Sequence, residues 1–254
     1  MSVQAGSFED FVSDYETKMS EPWALMLYDI LYAQLGGLLD ADAKTALVVG
    51  SGLGTFDRWL AGRGLEVTGT DVAPAMVEYA QRQAEQAGLS ISYRVTDVLT
   101  GTMEQTYDLV VCHNVLEYVA MPDFAVANLA SWLKPGGMLS LVLHNPVSKA
   151  LKAAVTAQDP LKALELLDKR EFHFDMMNAT ARNYTLAEAA NWLQLCGFDV
   201  IEHYGVRTVY DLIPNEPKFD PEWHQKALQM ELVLGTRSPY KEIGMFHHLI
   251  ARKR

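Results

Sequence analysis

The sequence predicts an α/β fold in which helices cover both faces of a mostly parallel sheet. Short apolar runs such as residues 46–49 are typical of strands buried on both faces, and they alternate with segments of helical periodicity. Parallel strands need helical crossovers, so this alternation favours one continuous sheet. Strands are predicted at residues 46–49, 65–70, 91–95, 107–112, 138–143, 198–203 and 245–251. Helices are predicted between them at residues 55–63, 74–87, 121–133, 185–196 and 222–234.

Two helices are predicted ahead of the first strand. Apolar residues recur at helical spacing within residues 8–15 and 25–35, and Gly36 and Gly37 end the second helix. We expect these N-terminal helices to form a lid over a ligand site.

Local signals mark the ends of later elements. Pro74 near the start and Gly88 at the end frame one helix, which is the usual asymmetry. Thr185 and Glu188 predict a capping box at the start of another helix. Residues 134–137, Lys-Pro-Gly-Gly, are predicted to form a turn before the fifth strand.

The chain is predicted to be one domain with four parts. Residues 1–40 form the N-terminal helices, residues 45–145 form a cofactor-binding core, and residues 185–254 form the C-terminal half of the sheet. Between them, residues 147–184 are more polar and are predicted to be a mostly helical insertion over the sheet edge.

Composition and charge exclude several classes of protein. The 254 residues are 49% hydrophobic and 21% charged, which is ordinary for a globular domain and excludes extensive disorder. Two cysteines cannot build a disulfide scaffold or a cysteine-based zinc site, and no other metal site is predicted. The first residues do not predict a signal peptide, and the sequence has no run of about 20 apolar residues, so we expect a soluble, cytoplasmic protein. The net charge of −11 disfavours nucleic-acid binding unless a local basic patch exists.

A glycine-rich segment follows the first strand and opens a helix, with glycines at Gly50, Gly52 and Gly54. Glycines let the backbone turn sharply and approach a ligand closely, and the helix N-terminus adds unpaired N–H groups. Asp71 ends the second strand, where a carboxylate can accept hydrogen bonds from both hydroxyls of a ribose. These features predict a nucleotide-containing cofactor and leave a dinucleotide open. The alternative is a plain tight turn followed by a helix cap.

Further segments favour a different cofactor. Asp97 ends the third strand, where it could accept from an adenine amine, and the chain closes with helix, strand, helix and strand. With the Lys-Pro-Gly-Gly segment, these features resemble the class I S-adenosylmethionine-dependent methyltransferases over residues 45–252. The resemblance implies a Rossmann-like, seven-stranded sheet with an antiparallel last strand, and S-adenosyl-L-methionine as the cofactor.

The resemblance also assigns a cofactor site. The implied residues are Gly50, Ser51, Gly52 and Gly54 around the methionine part, Asp71 at the ribose, Val72 and Met76 beside the adenine, Asp97 and Val98 at its edge, and His113 beside the sulfonium. Val48 departs from the family, which often has an acid two residues before the first glycine. The amino group of the cofactor then needs another acceptor.

Longer segments resemble the CmoM branch of this family, whose members methylate 5-carboxymethoxyuridine at the tRNA wobble position. These segments are residues 113–119, 132–137, 139–141 with Asn145, 205–211, and Glu231 with residues 239–240. The branch carries an arginine in its second N-terminal helix, whereas residues 26–28 here are Met-Leu-Tyr.

The chemistry of the acceptor decides which side chains the site needs. A carboxylate is ionised at neutral pH and needs a cation rather than a general base. Arg207 and Arg182 are candidates because a guanidinium grips a carboxylate bidentately, and Asn145 could donate to the substrate. Surface, capping or turn roles are the alternatives for these three. His113 could act as a general base for a phenol or an amine, or simply pack against the cofactor.

Several functions therefore stay open. The first hypothesis is methylation of a tRNA carboxymethoxyuridine, with lysines and arginines of residues 147–184 as the local basic patch. The acidic surface favours instead a small carboxylate or another metabolite as acceptor. A non-catalytic cofactor-binding subunit is the third hypothesis, and a nicotinamide oxidoreductase is the least favoured.

Overall fold

The computed structural model describes residues 12–174 and 179–254. The helices are α1 (Val12–Met19), α2 (Pro22–Gly36), α3 (Thr55–Ala61), α4 (Pro74–Gln86), α5 (Pro122–Ser131), α6 (Pro146–Val155), α7 (Pro160–Leu167), α8 (Leu186–Leu195) and α9 (Pro221–Leu234). The strands are β1 (Thr45–Val49), β2 (Glu66–Asp71), β3 (Ser92–Val95), β4 (Tyr107–His113), β5 (Leu133–His144), β6 (Glu171–Phe174), β7 (Ala179–Arg182), β8 (Phe198–Val206) and β9 (Phe246–Lys253).

Seven strands form the main sheet in the order β3-β2-β1-β4-β5-β9-β8. Neighbouring strands from β3 to β5 pair in parallel, and β9 runs antiparallel to both β5 and β8. The predicted Rossmann-like sheet with an antiparallel last strand is therefore confirmed. The carboxyl ends of β1, β2, β4, β5 and β8 consequently emerge at the same edge of the sheet.

The central strands are buried on both faces, which explains their uninterrupted apolar sequences. Leu47 and Val49 of β1 pack with apolar side chains of α5 and α8. Ala46 and Val48 face the opposite layer, which α2, α3 and α9 supply.

The N-terminal helices and the helix ends agree with their sequence signals. Helices α1 and α2 are present, although residues 8–11 of the predicted first helix lie outside the described residues. Thr185 accepts from the backbone N–H of Glu188, whose carboxylate accepts from the backbone N–H of Thr185, so the capping box is confirmed.

The predicted turn at residues 134–137 is wrong, because these residues belong to β5. The strand begins at Leu133, and its register with β4 shifts between Leu133 and Met138. Lys134 anchors this irregular stretch by donating to Asp108 Oδ1 at 2.7 Å. Gly136 takes a left-handed conformation, with φ of +75°.

The insertion is only half helical. Helices α6 and α7 occupy its first part, but β6 and β7 then form a separate antiparallel hairpin. The prediction of a mostly helical segment over residues 147–184 is corrected accordingly. In residues 12–174 and 179–254, no helix has both the length and the apolar character needed to cross a bilayer.

Candidate active site

A cavity of about 740 Å³ lies at the carboxyl-end edge of the sheet. Its wall follows the strand order: Asp71 ends β2, Gly50 follows β1, His113 ends β4, His144 ends β5 and Arg207 follows β8. Ligands bind at this edge in open α/β sheets. The cavity therefore spans nearly the whole sheet, from the strand that bears Asp71 to the strand that precedes Arg207.

The glycine loop forms one wall of the cavity through Gly50, Ser51 and Gly52. Gly50 and Gly52 have φ angles of +74° and +52°. A side chain on Gly50 would collide with Val115, so the loop is shaped to keep its backbone bare. Backbone N–H groups of Gly50 and Ser51 both donate to Thr70 O at 2.8 Å, which fixes the loop against β2.

Gly54 has a different role from the other loop glycines. Gly54 is not among the residues that line the cavity. A Cβ at Gly54 would lie 2.7 Å from Tyr93 Oη and 2.8 Å from Ala80 Cβ. Gly54 therefore allows α3 to begin close against α4 and β3.

Asp71 joins the loop to the next strand. Its Oδ2 accepts from the backbone N–H of Gly52 at 2.9 Å, and its Oδ1 accepts from that of Ala73 at 3.0 Å. Burial raises the pKa of this carboxyl, although the backbone hydrogen bonds oppose that effect. Each oxygen keeps a second lone pair, so the carboxylate can still accept from a ligand.

The other residues of the predicted nucleotide end also line the cavity: Val72, Met76, Asp97 and Val98. Asp97 Oδ1 accepts from the backbone N–H of Leu99 at 2.8 Å, which fixes the carboxylate at the start of a turn.

Helix α1 covers this end of the cavity. Val12, Tyr15 and Met19 pack on a cluster formed by Leu53, Ala73 and Met76. Tyr15, like Trp23 of α2, also lines the cavity, so the predicted lid has the expected position.

Beneath the glycine loop lies a buried acid that sequence analysis missed. Asp57 accepts from Ser51 Oγ at 2.8 Å, and burial raises the pKa of Asp57 to about 7. It does not line the cavity, so it does not replace the acid that is missing at Val48.

His113 lines the cavity at the end of β4 and is bonded on its inner side. Its Nε2 lies 2.7 Å from Ser140 Oγ, and its ring packs edge-on against Phe56. Burial, with a smaller contribution from His248, holds the pKa of His113 well below its usual value. The imidazole is therefore neutral at pH 7.

Arg207 brings a buried cation to the opposite side of the cavity, where it is only 5% exposed. Its Nε and Nη2 both donate to the carboxylate of Asp211, a partner that sequence analysis missed. The rings of Trp23, Tyr210 and Phe246 surround the guanidinium, with centroids 5.5–5.9 Å from Cζ. Lys152, which also lines the cavity, lies 3.9 Å from Asp211.

A second carboxylate holds the backbone around Arg207. Arg207 has φ of +54°, which is unusual for a residue with a side chain. Glu231 of α9 is fully buried and accepts from the backbone N–H groups of Thr208, Val209 and Tyr210. Glu231 therefore fixes the loop that presents Arg207.

The structure does not bring Asn145 or Arg182 to the cavity. Asn145 caps α6, and its side-chain amide donates to Glu242 O at 2.7 Å and Gly244 O at 2.9 Å, so both of its N–H groups are occupied. Arg182 is exposed at the end of β7, with its guanidinium 5.8 Å from the Tyr184 ring centroid. Their predicted contact with substrate has no geometric support.

Known proteins resemble this chain in sequence and in fold. Residues 47–141 match the family described as a methyltransferase domain. The tRNA 5-carboxymethoxyuridine methyltransferase of Escherichia coli (strain K12) is 29% identical over 214 residues, which cover 82% of this chain and 79% of that protein. The ubiquinone biosynthesis O-methyltransferase of Xanthomonas euvesicatoria pv. vesicatoria (strain 85-10) is 32% identical over 171 residues, which cover 66% of this chain and 68% of that protein.

Solved structures support the same fold. An S-adenosylmethionine-dependent methyltransferase from Mesorhizobium loti aligns with a TM-score of 0.62 and 18% identity, over 88% of this chain and 98% of that one.

The cavity fits S-adenosylmethionine, the cofactor of this family. The bare backbone at Gly50 and Gly52 allows close approach, and the carboxylates of Asp71 and Asp97 offer acceptors for hydroxyl and amine groups. When bound, the cofactor supplies an electrophilic methyl group. The chain therefore belongs to the class I S-adenosylmethionine-dependent methyltransferases.

Proposed function

We propose that this enzyme methylates a carboxylate, and that the acceptor is 5-carboxymethoxyuridine at the wobble position of tRNA. The observation that carries this proposal is the buried guanidinium of Arg207 in the cavity wall. Arg207 follows β8 at one edge of the sheet, whereas Asp71 ends β2 near the other edge.

In this proposal the cofactor occupies the end of the cavity near β1 and β2. Gly50, Ser51 and Gly52 face its methionine part, and Asp71 accepts from the ribose hydroxyls. Val72 and Met76 enclose the adenine, Asp97 and Val98 meet its edge, and His113 lies next to the reacting centre.

The acceptor then binds at the Arg207 end. A carboxylate is ionised at pH 7, so it attacks the methyl group without first losing a proton. Arg207 and Lys152 both lie against the carboxylate of Asp211. Nη1 of Arg207 is the guanidinium nitrogen that takes no part in the pair with Asp211, so it is the nitrogen that would donate to an anionic acceptor.

The cations of the insertion are the candidate contacts for tRNA as the carrier of that carboxylate. They are Lys149, Lys152, Lys169 and Arg170, of which Lys152 reaches the cavity itself, while Lys169 and Arg170 pair with Glu165 and Glu188. The resemblance to the Escherichia coli enzyme also favours this acceptor. These cations offset the net charge of −11 only locally, so tRNA binding should weaken steeply with salt.

The test is methyl transfer to tRNA that contains 5-carboxymethoxyuridine, with Arg207→Met as the variant and Arg237→Met, an exposed arginine, as the control. We expect turnover by Arg207→Met to fall roughly 10–150-fold, which corresponds to about 1.5–3 kcal/mol for a charged hydrogen-bonding partner, while S-adenosylhomocysteine affinity is kept. Readily methylated small carboxylates together with inert tRNA would contradict the tRNA assignment.

A small metabolite is the second candidate acceptor. Its methylated group would be a carboxylate, as the sequence analysis considered, or a phenol. The acidic surface and the 32% identity to a ubiquinone biosynthesis O-methyltransferase favour it. The pH profile separates the chemistries. A carboxylate acceptor gives a rate that is flat between roughly pH 6 and pH 8, whereas a phenol gives a rate that rises with pH.

A further inference from the structure

A buried chain of hydrogen bonds runs from the cavity into the core. His113 Nε2 lies 2.7 Å from Ser140 Oγ, which lies 2.8 Å from His248 Nε2. His248 Nδ1 lies 2.7 Å from Gln34 Oε1, and Gln34 Nε2 donates to Gly205 O at 3.3 Å. The chain thus connects β4, β5, β9, α2 and β8.

The far end of this chain sets the direction of its hydrogen bonds. Gly205 O is a carbonyl and can only accept, so the amide nitrogen of Gln34 faces it. The amide oxygen of Gln34 must then face His248, and an amide oxygen also only accepts. His248 Nδ1 therefore carries a proton and donates it.

The direction then passes along the chain to His113. Burial lowers the pKa of His248 to about 3, so its ring is neutral and Nε2 is an acceptor. Ser140 has one hydroxyl proton and donates it to His248, so Ser140 Oγ must accept from His113 Nε2. His113 is neutral as well, which leaves its Nδ1 without a proton.

We propose that Gln34, His248 and Ser140 are positioning residues that hold His113 in the Nε2–H tautomer, so that Nδ1 is a fixed acceptor for an N–H or O–H group of a bound ligand. The position of His113 in the sheet supports this role. Cys112 pairs with Val49 in the sheet, so His113, the next residue, lies beside the start of the glycine loop at Gly50. Val48, two residues before Gly50, offers no side-chain acceptor at this place.

The direct test is the tautomer of His113 in the full chain. Protein labelled with ¹⁵N-histidine is studied by long-range ¹H–¹⁵N correlation at pH 7, and the loss of one signal set in His113→Asn identifies His113 among the seven histidines. We expect a protonated Nε2 and an unprotonated Nδ1, without any ligand. A protonated Nδ1 overturns the proposal.

Gln34→Met tests whether the chain causes that tautomer. Gln34 does not line the cavity, and Met has similar volume without the oxygen that sets the direction. His248 can then adopt the tautomer with its proton on Nε2. All hydrogen bonds from His248 to His113 can then reverse their direction, so that His113 carries its proton on Nδ1 in part of the molecules. Gln194→Met, at an exposed glutamine of α8, is the control and should leave the tautomer unchanged. An unchanged His113 spectrum in a folded Gln34→Met protein overturns the proposal.

Calorimetry identifies which ligand group uses Nδ1. S-Adenosylhomocysteine carries the amino group of the cofactor, whereas 5′-methylthioadenosine lacks it. If that amino group is the donor, Gln34→Met binds the first compound roughly three- to tenfold more weakly and the second equally well. If the group that donates to Nδ1 is instead an O–H of the methyl-accepting substrate, the affinities for both cofactor analogues stay unchanged. The apparent KM for that substrate then rises. The proposal is overturned if neither the two affinities nor that KM changes.

Discussion

The carboxylate of Asp71 accepts a hydrogen bond from the backbone N–H of Gly52, at 2.9 Å, and so ties the end of β2 to the glycine loop after β1. The side chain of Asp71 thereby supports the shape of the glycine loop and also lines the cavity. Loss of this carboxylate should therefore disturb the loop and remove an acceptor for the ligand.

We expect Asp71→Ala to weaken S-adenosylhomocysteine binding by about 1–3 kcal/mol, because ligand hydroxyls and the Gly52 N–H lose their acceptor. Isothermal titration calorimetry measures this change. Asp42→Ala, at an exposed loop aspartate, should bind as the wild type does. Equal affinity in a folded Asp71→Ala protein would remove Asp71 from the binding site.

The role of the glycine loop can be tested by comparing Gly52, which lies in the loop, with Gly88, which lies after α4. Both have positive φ, at +52° and +68°, so alanine should cost each about 1–2 kcal/mol of stability. Only Gly52 lines the cavity, where a new Cβ would lie 3.9 Å from Tyr15. We expect Gly52→Ala to lose cofactor affinity in a thermal-shift titration, and Gly88→Ala to keep it. Similar losses in both would mean that the loop is only a structural turn.

Glu231→Gln should destabilise the protein by about 3 kcal/mol. The buried carboxylate accepts from three backbone N–H groups and from Thr208 Oγ1, and an amide would turn an NH₂ group toward some of these donors. Chemical denaturation measures the loss, with Glu222→Gln, exposed on the same helix, as the control. A difference below about 0.5 kcal/mol would show that the loop before α9 does not depend on this carboxylate.

Asp57→Asn should change how stability depends on pH. The pKa of Asp57 is about 7 in the folded protein because of burial, against 3.8 when unfolded. Between these values the folded state holds the proton that the unfolded state has lost, so the contribution of Asp57 to stability falls as pH rises, by up to about 4 kcal/mol. Asparagine is neutral throughout and avoids this loss. The gain in melting temperature over wild type should therefore be larger at pH 8 than at pH 5, and a constant gain would contradict it.

Sequence alone was enough for features that depend on neighbouring residues. The seven strands of the main sheet, the capping box at Thr185 and the loop from Gly50 to Gly52 follow from local patterns and were predicted. The Arg207–Asp211 pair was missed although the two residues are only four apart, because nothing in sequence shows that Asp211 turns back toward the guanidinium. The four-residue strands β6 and β7 were missed, whereas β3, which is equally short, was predicted because helices and strands alternate on both sides of it.

Contacts between distant segments could not be predicted. Ser140 and His248 are 108 residues apart, and Gln34 and His248 are 214 apart. The sequence shows only scattered polar residues within apolar runs, and the register of β5 against β9 decides that Ser140 and His248 meet. Glu231 likewise gave no local sign that it would hold the backbone of residues 208–210.

The position of β9 has a consequence for the order in which the sheet can assemble. In the described sheet, β8 is an edge strand whose one neighbour is β9, and β9 follows it in the chain by 40 residues (206 to 246). Strands β1 to β5 can pair with one another as soon as residue 144 is available, which completes the end of the cavity that carries Asp71. Arg207 can reach its place only after β9 has paired with β5, so the half of the site proposed to choose the acceptor is the last to form during synthesis.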